Sequence, residues 1–536
     1  MTKSFFVFVV TLVLIFSANF AFANPLAFDF ERNRYQKDLN LENKTEALMR
    51  DSDPKLIKWI RENISAETQL PLSFDIQIED KKEVYAEISE TDSIDGIIER
   101  MIVEEGLVVY DGAVSQIVRT LLGTPQDLEA ALLPLNMYWQ GSVGELSNIR
   151  AGFPINQFVY DENNPDAVSS NLDNFGQRGF IFRIINANGK YNTQDPLDGK
   201  THFSGFPTWP TVHWEDWKPV AGENAWVAMA SVHLFHKKYF DKKSKKYFPP
   251  KGTIELCLAE ELARAAIFLQ TENGGIRMAP IGTYFKEGDD GKGWYNLIST
   301  ENNLSWYAAF RMLYQVTQKE TYLQALKKIE IYFQSVWNEE LKCFDQGMHF
   351  VNGQWMPSQD HFATDVQTWG ILALGCKKID SWFGEGTSYQ MWETVCKLAG
   401  AKDDFGEFLG VGFTAEHDRV SVEWTAGAIC AARNIAKYYE ISNPLWSDRA
   451  LSDAQQMRDG IELLRQELPD KKAAYAYSSK RGWIPFGWFS HNPQVLSLAS
   501  TAWVVLMDAG INPFELQKSF EKSKMLGVEF SQISEK

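Results

Sequence analysis

Hydrophobic residues along this chain fall into two styles of helical segment that alternate. Segments of the first style are apolar almost all the way round: Tyr110 to Leu122, Glu223 to Phe235, Glu301 to Tyr314, Asp365 to Gly375, Glu423 to Ile435 and Ala499 to Ala509. Those of the second are amphipathic: Ile94 to Glu105, Leu128 to Met137, Ile254 to Gln270, Tyr322 to Trp337, Tyr389 to Leu398 and Ala454 to Leu464. A helix without a polar face is surrounded by protein, whereas an amphipathic one keeps a wet side. Six of each in alternation predict an inner ring of helices wrapped by an outer ring, an all-α (α/α)6 toroid over residues 91–515. The inner segments start at uneven intervals, which argues against a short-period solenoid.

Other stretches stand outside that rhythm. Residues 24–90 are polar, with one amphipathic helix near Pro54 to Asn63, and read as an N-terminal extension; residues 516–536 read as a C-terminal tail. The interval from Gly152 to Val220 carries Gly, Pro, Asn and Asp turn signals and a strand-like run from Phe180 to Ile185. It reads as an elaborated loop over one face of the ring. Lys3, the apolar run from Phe5 to Phe16 and Ala21-Phe22-Ala23 have the form of a signal peptide over residues 1–23, released before Asn24. Export, to the periplasm or beyond the cell, is the expectation. With the signal removed, no further run is long enough to span a membrane.

Charge narrows the partners. Lys plus Arg number 53 and Asp plus Glu 70, a net charge of -17. That balance argues against nucleic acid or an anionic membrane as the main partner, and it disfavours polyanionic polysaccharides. Cys257, Cys343, Cys376, Cys396 and Cys430 are scattered and odd in number, so they form neither a disulfide framework nor a zinc pattern. The chain has no G-x-S-x-G elbow, H-E-x-x-H, P-loop or dinucleotide fingerprint. Asp289-Asp290-Gly291 is too short for a calcium loop. Neither a cofactor nor a metal is expected.

Several phrases sharpen the picture: Gly222-Glu223-Asn224-Ala225-Trp226, Thr300-Glu301-Asn302-Asn303-Leu304, Ser421-Val422-Glu423-Trp424-Thr425-Ala426-Gly427, and Thr501-Ala502-Trp503 with Gly510-Ile511-Asn512-Pro513-Phe514. With the alternating helices, they resemble the six-hairpin glycosidase superfamily over roughly Asp92 to Phe514. The resemblance implies a toroid whose parallel inner helices bring their N-terminal ends to one opening, where carbohydrate is handled, mostly with inversion. The same toroid hosts phosphorylases, lyases and sugar epimerases, so the fold alone assigns no reaction.

Five of the six inner segments open on an acid: Asp111, Glu223, Glu301, Asp365 and Glu423. Parallel inner helices would ring one pocket with these carboxylates. Glycoside hydrolysis needs two carboxyl groups across the scissile bond, one protonated and one ionised. The helix dipole alone also favours a first-turn acid by ~0.3–1 kcal/mol, so each has a purely structural alternative. Glu301, beside Asn302 and Asn303, and Glu423, beside Trp424 and Thr425, form the preferred pair, with Glu423 as acid and Glu301 as base. Glu223 and Asp365 follow, Asp365 as the alternative base. Asp111 also fits ordinary capping chemistry and is expected to contact substrate rather than react. Trp209, Trp214 and Trp488, in aromatic-rich loops, are expected sugar platforms, with Asn302, Arg277 and His491 as further substrate contacts.

The expected function is hydrolysis of a neutral glucan or oligosaccharide. Three alternatives remain open: a sugar epimerase or isomerase using His213, His361, His417 or His491 as acid and base, a polysaccharide lyase, or a carbohydrate-binding protein that has lost its pair. Oligomeric state, linkage and anomer are open too.

Overall fold

The computed structural model describes residues 52–89, 94–142, 180–181, 183–187, 213–216, 219–280 and 293–516. The expected signal segment, most of the interval from Gly152 to Val220 including Trp209, and the tail after Leu516 lie outside the described residues.

Among the described residues, six helices form the inner ring: Val109–Leu122, Ala221–Tyr239, Thr300–Thr317, Thr364–Leu374, Val422–Tyr439 and Leu498–Asp508. Each packs against the next, and the sixth packs against the first, so the ring is closed. Their sequences carry no continuous polar face, and most residues of each are buried. Ala230, Ala309 and Ala431 lie in the shared core. The fold is the all-α (α/α)6 toroid.

Outside this ring stand Pro125–Ser142, Ile254–Phe268, Glu320–Ser335, Thr387–Leu398 (preceded by the shorter Cys376–Phe383) and Pro444–Glu462. The sixth outer place differs from the expected one. Pro54–Glu62 packs against the sixth inner helix, burying Leu56, Trp59 and Ile60. Arg61, at its end, holds Asp127 with two hydrogen bonds of 2.9 and 2.6 Å. Ile94–Glu105, expected as an outer helix, instead packs on helix Lys81–Ser89 and on the strands Phe74–Ile76 and Gly106–Val108. Periodicity reports that a helix has one dry face; it does not report which surface that face meets.

Short strands lead directly into three inner helices: Gly106–Val108 into the first, Leu297–Ser299 into the third and Val495–Ser497 into the sixth. Gly106–Val108 pairs antiparallel with Ile184–Asn186, which pairs in turn with His213–Asp216. Of the strand-like run from Phe180 to Ile185, only Ile184 and Ile185 among the described residues lie in this small three-stranded sheet, with Trp214 opposite Ile185, and Phe182 lies outside the described residues. Leu297–Ser299 pairs with Gly347–Val351, and Val495–Ser497 with Phe74–Ile76. These ladders pin the N-terminal ends of three inner helices. No helix among the described residues is long and apolar enough to cross a membrane.

Candidate active site

Three inner helices are fixed at their first turns by side-chain caps. Ser299 accepts from the Asn302 amide at 3.3 Å, Ser421 from Trp424 at 3.3 Å and Ser497 from Ser500 at 3.2 Å. Asp111, Glu223, Glu301, Asp365 and Glu423 occupy the first turns of the first five inner helices. The structure brings all five together. Asp111 feels the charge of Glu223, Glu301 those of Glu223, Asp365 and Glu423, and Glu423 those of Asp111 and Asp365. This is a closed circuit of carboxylates around one end of the ring. The sixth inner helix has Ser500 and Thr501 in its first turn instead.

Burial and mutual repulsion both disfavour charge in such a circuit, but the five acids differ in what opposes that. Burial pushes Glu423 up to about 8, and Asp111 and Asp365 add to this, while a hydrogen bond from Tyr110 works against it. The Tyr110 hydroxyl donates to Glu423 Oε1 and itself accepts from Trp503 Nε1 at 2.8 Å. Burial pushes Asp365 up to about 7, opposed by backbone N–H groups; the Val366 amide donates to Oδ1 at 2.8 Å. Asp111 is likewise pushed to about 7 by burial, with Ser73 opposing and Glu223 adding. Glu223 faces a counter-charge, the Arg183 guanidinium 3.1 Å away.

Glu301 departs from its expected role. Burial, followed by the charge of Asp365, drives its carboxyl well above the ordinary range; Ser305 Oγ, donating at 2.9 Å, opposes this. The neighbouring amides, expected to keep it ionised, are used otherwise. Asn303 accepts from the Ile276 amide and donates to the Ile276 and Ser299 carbonyls. Asn302 turns its oxygen toward Gly222, so closely that a Cβ there would meet it at 2.2 Å. Its Nδ2 is buried with no hydrogen-bond acceptor among the described residues. Asn303, bonded to backbone on both sides of its amide, cannot also solvate the Glu301 carboxylate.

The remaining expected residues are spread around this end. Trp488 Nε1 donates to the Tyr477 hydroxyl at 2.8 Å, and Tyr477 lies in the field of Glu423 and Asp111. Trp424 packs edge-on against Phe413, with ring centres 4.9 Å apart, and stacks toward Phe486 at 6.2 Å. The guanidinium of Arg277 lies over Tyr295 at 3.9 Å and Trp355 at 4.9 Å, and donates to the Tyr295 carbonyl at 2.8 Å. His491 is set back from the carboxylates: Nδ1 is 3.2 Å from Glu99, and its ring meets Phe74 and Tyr477 at 5.0 and 5.5 Å. Burial would raise Glu99, but Arg481 and His491 outweigh it and hold it at about 2. Trp214 is described only as backbone, and Trp209 not at all. Sequence reasoning passed over Tyr110, Trp503, Arg183 and Tyr477. Tyr110 stands beside Asp111 in the chain, yet its partner Trp503 is 393 residues away, a separation that carries no local signal.

No protein-family model and no curated protein matches the chain. Solved structures do. A sugar epimerase from a ruminal bacterium is 9% identical, with 87% of this chain and 98% of that one covered at a TM-score of 0.50. A D-mannose isomerase is 11% identical, with 88% and 96% covered, also at 0.50. The GH76 alpha-mannanase of Bacteroides thetaiotaomicron is 10% identical, with 90% and 98% covered, at 0.47. The fold is shared, and the sequence is not. The resemblance to the six-hairpin toroids therefore stands at the level of fold, which enzymes of different sugar chemistries have in common.

Proposed function

We propose that this protein is a glycoside hydrolase acting on a neutral glucan or oligosaccharide, with Glu423 as general acid and Asp365 as the base that activates water. The observation that carries the reading is the circuit of five first-turn carboxylates at one end of the inner ring. Glycosidic bond cleavage needs one carboxyl that keeps its proton and one that has lost it. Glu423 keeps its proton to about 8. Asp365 has backbone N–H support at its helix N-terminus, which favours the ionised form. Glu301, hemmed in by three other acids, suits a protonated neighbour that steadies the base rather than the base itself. Asn302 Nδ2, a buried donor with no acceptor among the described residues, suits a sugar hydroxyl. Trp488 suits a platform for a sugar face.

Epimerisation is the second reading, since two of the structural neighbours are named for epimerase and isomerase activity. That chemistry would use histidine as acid and base. His417 is held on the Gly400 carbonyl and His491 beside Glu99. Of the three whose side chains are described, His361, exposed and edge-on to Phe486 at 6.3 Å, is the one this reading would invoke. A panel of neutral glycans digested with the protein and read by mass spectrometry separates the two. Shorter products whose masses sum to that of the glycan plus one water support hydrolysis, and a product of unchanged mass with a new sugar supports epimerisation.

A further inference from the structure

Tyr110 is tied at both sides of its hydroxyl. Trp503 Nε1 reaches it from the sixth inner helix at 2.8 Å, and Glu423 Oε1 receives from it on the fifth. An indole N–H can only donate. The tyrosine oxygen must therefore accept on that side, and among the described residues its single proton is donated to Glu423 Oε1. The rings are as fixed as the hydroxyl. Tyr110 packs edge-on against Trp226 at 5.1 Å and tilts over Trp369 at 6.2 Å, and Trp503 stacks on Trp369 at 5.9 Å. A carboxylic acid whose one oxygen already accepts from a fixed donor carries its own proton on the other.

We propose that Tyr110, oriented by Trp503, is a positioning residue that confines the proton of Glu423 to Oε2. This rests on the reading of Glu423 as general acid. The relay would present the acid proton in a single direction, so that no turnover waits for the carboxyl to rotate. It would also hold the carboxylate left behind after proton transfer, because a donor to the ionised form favours that form. The other titratable groups around Glu423 are Asp111 on the first inner helix, Glu301 on the third, Asp365 on the fourth and Tyr477 on the loop before the sixth. The three acids repel its charge, so the hydroxyl of Tyr110 is the group that opposes them.

The test is a carbon-13 NMR titration of the full chain labelled at glutamate carboxyl carbons, with Glu423 assigned by its loss in Glu423→Gln. In Tyr110→Phe the Glu423 titration should move up by roughly 1–2 pH units, the scale of one hydrogen bond to a charged group. The alkaline limb of kcat on a cleaved glycan should move with it. Trp503→Phe, which leaves Tyr110 free to turn, should move both in the same direction by less. If Tyr110→Phe does not fold, 3-fluorotyrosine at position 110 keeps the ring and donates more strongly, and the titration should move down. A Glu423 titration that stays in place in a folded variant would overturn the relay. A titration that moves while the alkaline limb does not would overturn its part in catalysis. Failure of the underlying reading looks different: the wild-type protein would cut no glycan, while the titrations would still report on the relay.

Discussion

Glu423 and Asp365 share burial but differ in neighbours, and their assigned roles rest on that difference. Removing the proton donor or the base should cost ~10²–10⁴ in kcat. Glu423→Gln and Asp365→Asn should each lose activity on this scale while keeping wild-type circular dichroism, measured on the same cleaved glycan. Stability should respond to pH with a definite sign. Folding raises Asp111 and Asp365 to about 7 and Glu423 to about 8. The folded state therefore binds more protons than the unfolded one between the ordinary carboxylate range and those values. Stability should fall as pH rises through this window and level off above it, by on the order of 1 kcal/mol for each unit a folded value stands above its unfolded one. Glu423→Gln should flatten the fall, so that its melting temperature gains on wild type at pH 8–9 and not at pH 4. Equal pH profiles in both proteins would mean that folding does not raise Glu423. At this scale the sequence was informative about which residues are acids and silent about their states. Asn302 and Asn303 look like solvating partners of Glu301 in the chain, yet backbone groups from other segments engage one and a glycine's missing side chain accommodates the other.

The inner helices depend on how their first turns are held, and that is where single changes should act. Ser421 accepts the Trp424 amide and so fixes the turn that carries Glu423. Ser421→Ala should lower unfolding free energy by ~1 kcal/mol, read by urea titration, and should lower kcat as well. Gly222 is constrained differently. A Cβ there would sit 2.2 Å from Asn302 Oδ1 and 3.1 Å from Glu301 Oε2. Gly222→Ala should displace both and cost ~1–3 kcal/mol through overpacking; a variant with wild-type stability and activity would show that the two side chains yield freely. The apolar inner helices are legible in the chain because a helix that is apolar all round is stable only where protein surrounds it. The strands that seat them are three to five residues long, too short for alternation to stand out from the loops around them.

For the whole molecule, the closed ring makes the N-terminal segment structural. Pro54–Glu62 fills the sixth outer place through Leu56, Trp59, Ile60 and the pairing of Arg61 with Asp127. A chain beginning after Asn63 should expose the sixth inner helix, and its cooperative thermal transition should shift down sharply or vanish; an unchanged transition would show that this helix only decorates the ring. Residues 24–90 read as an extension in the sequence because the packing of Pro54–Glu62 on the sixth inner helix joins segments far apart in the chain and leaves no trace in local pattern. Export is proposed on Lys3, the apolar run behind it and Ala21-Phe22-Ala23, and intact mass from the envelope fraction should correspond to a chain starting at Asn24.

Hydrolysis of a glycosidic bond by two carboxyl groups of this circuit is tested by digesting a neutral glycan panel in water labelled with oxygen-18, comparing the wild-type protein with Glu423→Gln and Asp365→Asn by mass spectrometry. Wild type should release shorter glycans carrying one labelled oxygen at the new reducing end, and each variant should release them far more slowly. Products without the label, or full turnover by both variants, would contradict it.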